Sequence, residues 1–438
     1  MLAAGGLCPR NAQANGAFPA VSQLVGDPSD PAHLVLRSNF GLLITHDRGG
    51  SWDLVCEAGL GYQNLEPAIA LLNDGTTIAA LPNGIAHGTS ECGFGLALGA
   101  ATYVADVARA PGAPGAAVAV SVEIDAGISQ VWRSLDAGQS WTPWGRTLNE
   151  LNATTLDITA DPGSVLYVSG VSQSDGIRGI LARSVDAGQT WIRSDVPGVS
   201  KLSAPYIAAV AADDADTLYV RLSGSPGQLL VSHDGGARWS VVLEFSGPLD
   251  GFALSPDGRF ALASGRMDGV WRARTSDLTF ERVSCSKLRC LSWTGAGLFA
   301  CADEFQAGFL VGESPDLGAT FEPRLHLSCV RGPLACPDDS IVAQACYGSW
   351  PAQAEVLGSD CANAVFTPHD DCSGSISAGT SATTGAVSNG GATNTSAPAR
   401  AGCSLSKRPC AGAPWLFGLS LLLCGIRRRR VSTSTGAS

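Results

Sequence analysis

One short string recurs along this chain and constrains its fold more than any other feature. THDRGGSW (45–52), SLDAGQSW (134–141), SVDAGQTW (184–191), SHDGGARW (232–239) and SPDLGATF (314–321) share the pattern Ser/Thr-x-Asp-x-Gly-x-x-aromatic. Their aspartates, Asp47, Asp136, Asp186, Asp234 and Asp316, are separated by 89, 50, 48 and 82 residues. Two gaps are about twice the others, and a worn copy lies inside each: TSECGF (89–94) and TSDLTF (275–280). With Glu91 and Asp277 inserted, the spacings become 44, 45, 50, 48, 43 and 39. Seven units of about 45 residues match the period of a β-propeller.

Each unit has the same internal grammar. An apolar run is followed by a turn rich in Asp, Pro and Gly, such as DPSDPAH (27–33), ADPGSV (160–165) or SPDGR (255–259). A second strand follows, such as HLVLRS, VLYVSG or FALASG. These strands mix apolar and small residues, as strands packed between neighbouring blades do. The repeated string then falls on the hairpin between the third and fourth strands. Composition agrees: 45% of the 438 residues are apolar, 15% are charged and 53 are Gly, the mix of a buried β protein with many tight turns.

The chemistry of the string suits a turn. An Asp side chain accepts hydrogen bonds from the backbone of its own turn, and Gly permits a left-handed backbone. The aromatic residue then opens the last strand and packs into the blade. The expected structural set is Asp47 with Trp52, Asp136 with Trp141, Asp186 with Trp191, Asp234 with Trp239, Asp277 with Phe280 and Asp316 with Phe321. One carboxylate per blade also keeps the aspartates apart, so they cannot flank one bond as a glycosidase pair does.

This pattern resembles the Asp-box, or BNR, repeat of sialidases, sortilin-type receptors and Ycf48-like assembly factors, over about residues 17–325. The resemblance implies an all-β, seven-bladed propeller with the boxes on the outer rim of the face opposite the central pocket. It does not imply one function, because the fold hosts many. A sialidase of this family carries an arginine triad, a Tyr/Glu pair and an Arg-Ile-Pro motif on its first blade. Here that blade reads HLVLRSNFGLLI, with Arg37 but no Arg-Ile-Pro. No G-x-S-x-G elbow, phosphate loop or HExxH stands elsewhere, so no catalytic set is assigned. No cofactor or metal site is predicted. His46 and His233 precede hairpin aspartates and read as exposed turn residues.

The net charge of −11 argues against a nucleic-acid partner, which needs a basic face. None of the 14 cysteines forms a CxxC pair, and eight fall between Cys285 and Cys372. This distribution reads as a disulfide set in an oxidising compartment, with reduced, buried cysteines as the rival reading. Cys329, Cys336 and Cys346 are candidate staples in a Cys-rich coda (326–372) that closes or caps the ring. Cys56 and Cys92 occupy similar places in blades one and two and are expected to bridge them.

The ends suggest export. Residues 1–16 read as the remnant of a truncated leader, with Ala12-Gln13-Ala14 as a small-residue cleavage site. Residues 373–401 are a Gly/Ser/Thr-rich linker of disordered type. Residues 402–430 hold Gly-Cys-Ser, an apolar run (413–426) expected to be a short hydrophobic helix, and four arginines; a polar end (431–438) follows. That order resembles the MYXO-CTERM sorting signals of myxobacterial surface proteins. The resemblance implies a membrane contact through 413–430, a sorting protease, processing near Cys403 and display at the cell surface.

A partner is therefore expected on the loops opposite the boxes. Tyr62, Trp144, Tyr206 and Phe305 are candidate aromatic platforms, and Glu123, Asp125, Asp303 and Glu304 candidate cation holders. The rival reading makes them ordinary loop residues. The leading functional expectation is a non-catalytic binding or adhesion module for an extracellular glycan or protein. The alternatives are a glycoside hydrolase acting on a polysaccharide and a Ycf48-like assembly factor.

Overall fold

The computed structural model describes residues 19–363, apart from residues 64, 100–101, 111–113, 160–163 and 359. The leader remnant, the linker, the sorting tail with Cys403 and the polar end lie outside the described residues. Within them the chain forms seven antiparallel sheets in ring order, the seven-bladed propeller that the repeat predicted. Blade one is Val21–Gly26, Leu34–Ser38, Gly41–Thr45 and Trp52–Cys56, running from the channel outward. Blades two to six repeat this meander, and blade seven ends with Glu322–Leu325.

The second strands are buried along most of their length, as in Thr77–Leu81 and Leu166–Ser172. A strand covered on both faces gains from apolar residues at consecutive positions, which explains the near-continuous runs. Buried apolar residues form seven clusters, one at each blade-to-blade interface. The last joins Phe299 and Leu310 of blade seven to Leu34 and Leu36 of blade one.

Side chains of the innermost strands stitch neighbouring blades around the channel. Gln23 exchanges two hydrogen bonds with the Ile69 backbone, at 2.9 and 3.0 Å. Asp106 accepts from the Leu156 amide at 3.0 Å, and Thr155 from the Ile207 amide at 2.8 Å. Each stitch follows a β-bulge, which frees one residue from the ladder and re-aims the next.

After blade seven the chain passes back over blades one and two. Val330–Pro333 adds a parallel fifth strand beside Trp52–Cys56, and Arg331 pairs with Asp53. The helix Ile341–Cys346, capped by Ser340, then packs its Val342 into the cluster between blades one and two. Three disulfides tie this segment down: Cys56–Cys346, Cys92–Cys336 and Cys329–Cys361. Cys56 and Cys92 thus do not bridge each other. The coda runs along the outer edges of both blades, so each cysteine meets a coda partner first. A fourth disulfide, Cys290–Cys301, lies inside blade seven. No helix among the described residues is long and apolar enough to cross a membrane.

Candidate functional site

The repeated string behaves as a turn-holding device. In blade three the Ser134 hydroxyl donates to Asp136 Oδ1 (2.8 Å) and accepts from the Gly138 amide (2.9 Å). The Ser140 amide and hydroxyl donate to the two oxygens of Asp136, at 2.9 and 2.5 Å. Asp47, Asp186, Asp234 and Asp316 repeat the scheme. The residue after the aspartate is left-handed in every such turn (Arg48, Ala137, Ala187, Gly235, Leu317), although only one of the five is Gly. The carboxylate bonds hold that backbone. Hydrogen bonds from the Thr190 hydroxyl, the Thr190 amide and the Ser184 hydroxyl hold the Asp186 carboxyl down to about 2. At Asp47 partial burial pulls upward, but bonds from Ser51 and Thr45 outweigh it and the carboxyl also sits at about 2.

The aromatic partners differ in burial. Trp52 is 1% exposed because the coda strand covers the edge of blade one. Trp141, Trp191 and Trp239 stay half-buried on uncovered edges. Trp52 and Trp141 donate their indole N–H to the Gly49 and Gly138 carbonyls, at 3.1 and 2.9 Å. The two worn copies depart from the scheme. Asp277 accepts from the Thr279 amide at 2.9 Å, and its Thr275 hydroxyl turns to the Gly258 carbonyl instead. Glu91 leaves its own turn and reaches blade one.

The channel carries a second, different set of carboxylates. Asp106 and Asp157 lie on the innermost strands of blades three and four. Burial pushes Asp106 up to about 7, although the Leu156 and Val107 amides donate to it at 3.0 and 2.9 Å. Burial likewise pushes Asp157 up to about 6 against bonds from the Ile158 and Val210 amides. Both oxygens of Asp106 are therefore committed to backbone N–H groups.

Hollows open on both faces: one of about 440 Å³ on the face opposite the hairpins, lined by Asp125, Glu150 and Gln173 among others, and two larger ones on the hairpin face. A cavity of about 630 Å³ descends into the channel there, lined by Ile69, Val107, Arg109, Asp157, Val210 and Trp293 among others. A contiguous hollow of about 690 Å³ runs outward between blades five and six, past Tyr219, His233 and Phe252. Trp293 lines both, and also the shallower hollow beside Pro256 and Leu317. At the far end the channel narrows to about 150 Å³ beside Ser22, Arg221 and Asp250.

Of the four aromatic platforms expected, Phe305 is 57% exposed, on the short helix Glu304–Ala307 of blade seven. Tyr206 lies under the Arg221 guanidinium, 4.9 Å from it. Tyr62 is 6% exposed and belongs to the core between blades one and two. Trp144 packs on the hairpin side, under Arg133 and beside the turn of blade four, where the Arg146 amide meets the Gly188 carbonyl at 2.8 Å. Among the four expected cation holders, Glu304 is buried, accepting from the Leu327 amide at 2.8 Å and facing His326 Nδ1 at 2.9 Å. Trp293 and Arg109, which line the channel-mouth hollow, carry no signal in the sequence. Neither belongs to the repeat, and strand residues that face a channel look like strand residues that face a core.

No family model matches the chain, and no curated protein matches it. Solved structures do. The chain is similar to an ancestral GH74 enzyme at 16% identity and a TM-score of 0.52, covering 65% of this chain and 44% of that one. It therefore spans less than half the length of that enzyme. It is also similar to Ycf48 bound to D1 peptide, at 14% identity and a TM-score of 0.44, covering 65% and 88%. A third similar structure is the extracellular domain of a putative one-component system from B. thetaiotaomicron. There the identity is 13%, the TM-score 0.43, and the coverage 66% and 37%. At such identity the likeness speaks for the propeller fold alone.

Proposed function

We propose that this propeller is an exported, non-catalytic binding module that takes a saccharide segment of an extracellular glycan into the hairpin-side funnel of its channel. Trp293 carries this reading: it lines three hollows on the hairpin face, from the channel mouth outward between the blades. A half-buried indole offers a flat apolar face against which the C–H face of a sugar ring stacks, while the Arg109 guanidinium offers hydrogen-bond donors in the same hollow. Export is supported by the disulfides among the described residues, which persist in oxidising compartments. Anchoring through the tail belongs to the same proposal and rests on the sequence alone.

The rival reading is a glycoside hydrolase, favoured by the raised carboxyls of Asp106 and Asp157 on neighbouring strands. Their commitment to backbone amides weighs against it, because a group that holds two N–H donors is poorly placed to move a proton. Glycan-array binding with wild type and Trp293→Ala tests the proposal. Wild type is expected to bind a defined glycan class, and the variant to lose at least tenfold in affinity. Equal binding by both proteins would remove the funnel from the account.

A further inference from the structure

Three side chains from separate segments meet on the rim between blades one and two. His33 closes the first turn of blade one, His46 lies in its aspartate hairpin, and Glu91 lies at the tip of the worn hairpin of blade two. Glu91 Oε1 is 3.0 Å from His33 Nε2, and Glu91 Oε2 is 3.0 Å from His46 Nε2. One ligand-type atom from each residue lies within 4.8 Å of the others. The two imidazoles stack with centroids 4.5 Å apart, so both present the same edge to the carboxylate.

Two observations point beyond a plain ion pair. His33 is 5% exposed, and its Nε2 and Glu91 Oε1 are both sealed from solvent; although 3.0 Å apart, they are not aligned as a hydrogen bond. Ligands of one tetrahedral ion face each other in this way, roughly 3.3 Å apart when the metal–ligand distance is near 2 Å. The far side of His33 is also already set. Its Nδ1 faces Asp27 Oδ2 at 3.3 Å, and Asp27 is 4% exposed. The other oxygen, Oδ1, accepts from the Ser29 amide (2.8 Å), the Ser29 hydroxyl (2.7 Å) and the Asp30 amide (3.3 Å). A carboxylate behind an imidazole holds the proton on Nδ1 and leaves the Nε2 lone pair free, the arrangement found behind metal-bound histidines.

We propose that His33, His46 and Glu91 form a binding site for one divalent transition-metal ion, Zn²⁺ first among them. Two imidazoles and one carboxylate suit Zn²⁺ better than Ca²⁺ or Mg²⁺, which take oxygen ligands. The His46 side chain is 55% exposed, so a fourth coordination position faces solvent. The ion ties blade one to blade two across the rim. Glu91 stands where the intact copies have Asp, and its extra methylene lets it serve the neighbouring blade rather than its own turn. Sequence reasoning assigned no metal site because the ligands come from two turns and a degraded repeat.

The test uses the full chain, chelator-stripped and with free thiols alkylated, titrated with Zn²⁺ by calorimetry and with Co²⁺ by visible absorption. One saturating ion per chain and a metal-dependent rise in melting temperature are expected. His46→Ala, whose side chain is exposed enough to leave the fold intact, is expected to weaken binding by about 100-fold, and Asp27→Asn by about tenfold. Unchanged melting of His46→Ala in chelator separates lost ligation from lost fold. Absence of saturable uptake by wild type, or equal affinity in His46→Ala, overturns the site.

Discussion

At the rim, Asp186 lies in solvent and its carboxyl is held at about 2 by hydrogen bonds from Thr190 and Ser184. In the channel, Asp106 accepts two backbone amides, yet burial lifts it to about 7. Both side chains hold backbone, but Asp186 stands in solvent at the rim, whereas Asp106 is part-buried between the innermost strands of two blades. Hydrogen bonds win in the first place and desolvation in the second. The difference separates two uses of one residue type. Rim aspartates fasten turns within a blade; channel aspartates fasten one blade to the next.

The largest effect expected at the rim is at its most covered point. Trp52→Ala removes a fully buried indole beneath the coda strand and is expected to cost about 4 kcal/mol in denaturant unfolding. Trp141→Ala, at an uncovered edge, is expected to cost clearly less. Equal losses would mean that the coda adds nothing to the packing of blade one.

The pH profile of stability sharpens the comparison next. Asp106 and Asp157 stay protonated in the fold up to about 7 and about 6, whereas in the unfolded chain they ionise near 3.8. The folded state therefore holds more protons between these values, and stability falls as pH rises from about 4 to about 7, by on the order of a few kcal/mol. The rim set has the opposite sign. Asp186 and Asp234 are held at about 2, so their contribution is present above about 4 and lost as pH falls towards about 2. Thermal melts across pH are expected to peak near the lower edge of the channel window. Asp106→Ala should flatten the fall on the alkaline side and leave the acid side unchanged. A profile still rising at pH 7 would refute the channel assignment.

Smaller effects test the rim alone. Asp136→Ala breaks three bonds that hold its turn and is expected to cost about 1 kcal/mol. Asp277→Ala, in a worn turn where one amide bond remains, is expected to change stability by under about 0.5 kcal/mol. Similar costs at both sites would mean that the repeat's hydrogen bonds contribute little.

The same contrast explains what was legible beforehand. Each rim turn is local: the bonds of Asp136 reach four residues, and seven recurrences reveal blade count and hairpin position. Channel stitches are not local. Asp106 meets an amide 50 residues away on the next blade, and inner strands such as VADVAR carry no repeated signature. The coda is more distant still, since Cys56 and Cys346 are 290 residues apart. Cysteine spacing indicated staples but not partners. In sequence Glu91 reads only as a worn turn, because its partners, His33 and His46, lie on another blade. Loop variety points to the face opposite the hairpins, whereas the hollow at the channel mouth is set by strand ends around Trp293, which carry no repeated signature.

Affinity electrophoresis in gels containing neutral or acidic polysaccharides tests the central claim most directly. Wild type should be retarded in at least one gel, Trp293→Ala should migrate freely in that gel, and the recovered polysaccharide should keep its chain length. Free migration of wild type in every gel, equal retardation of both proteins, or shortened chains would contradict binding without catalysis at the funnel.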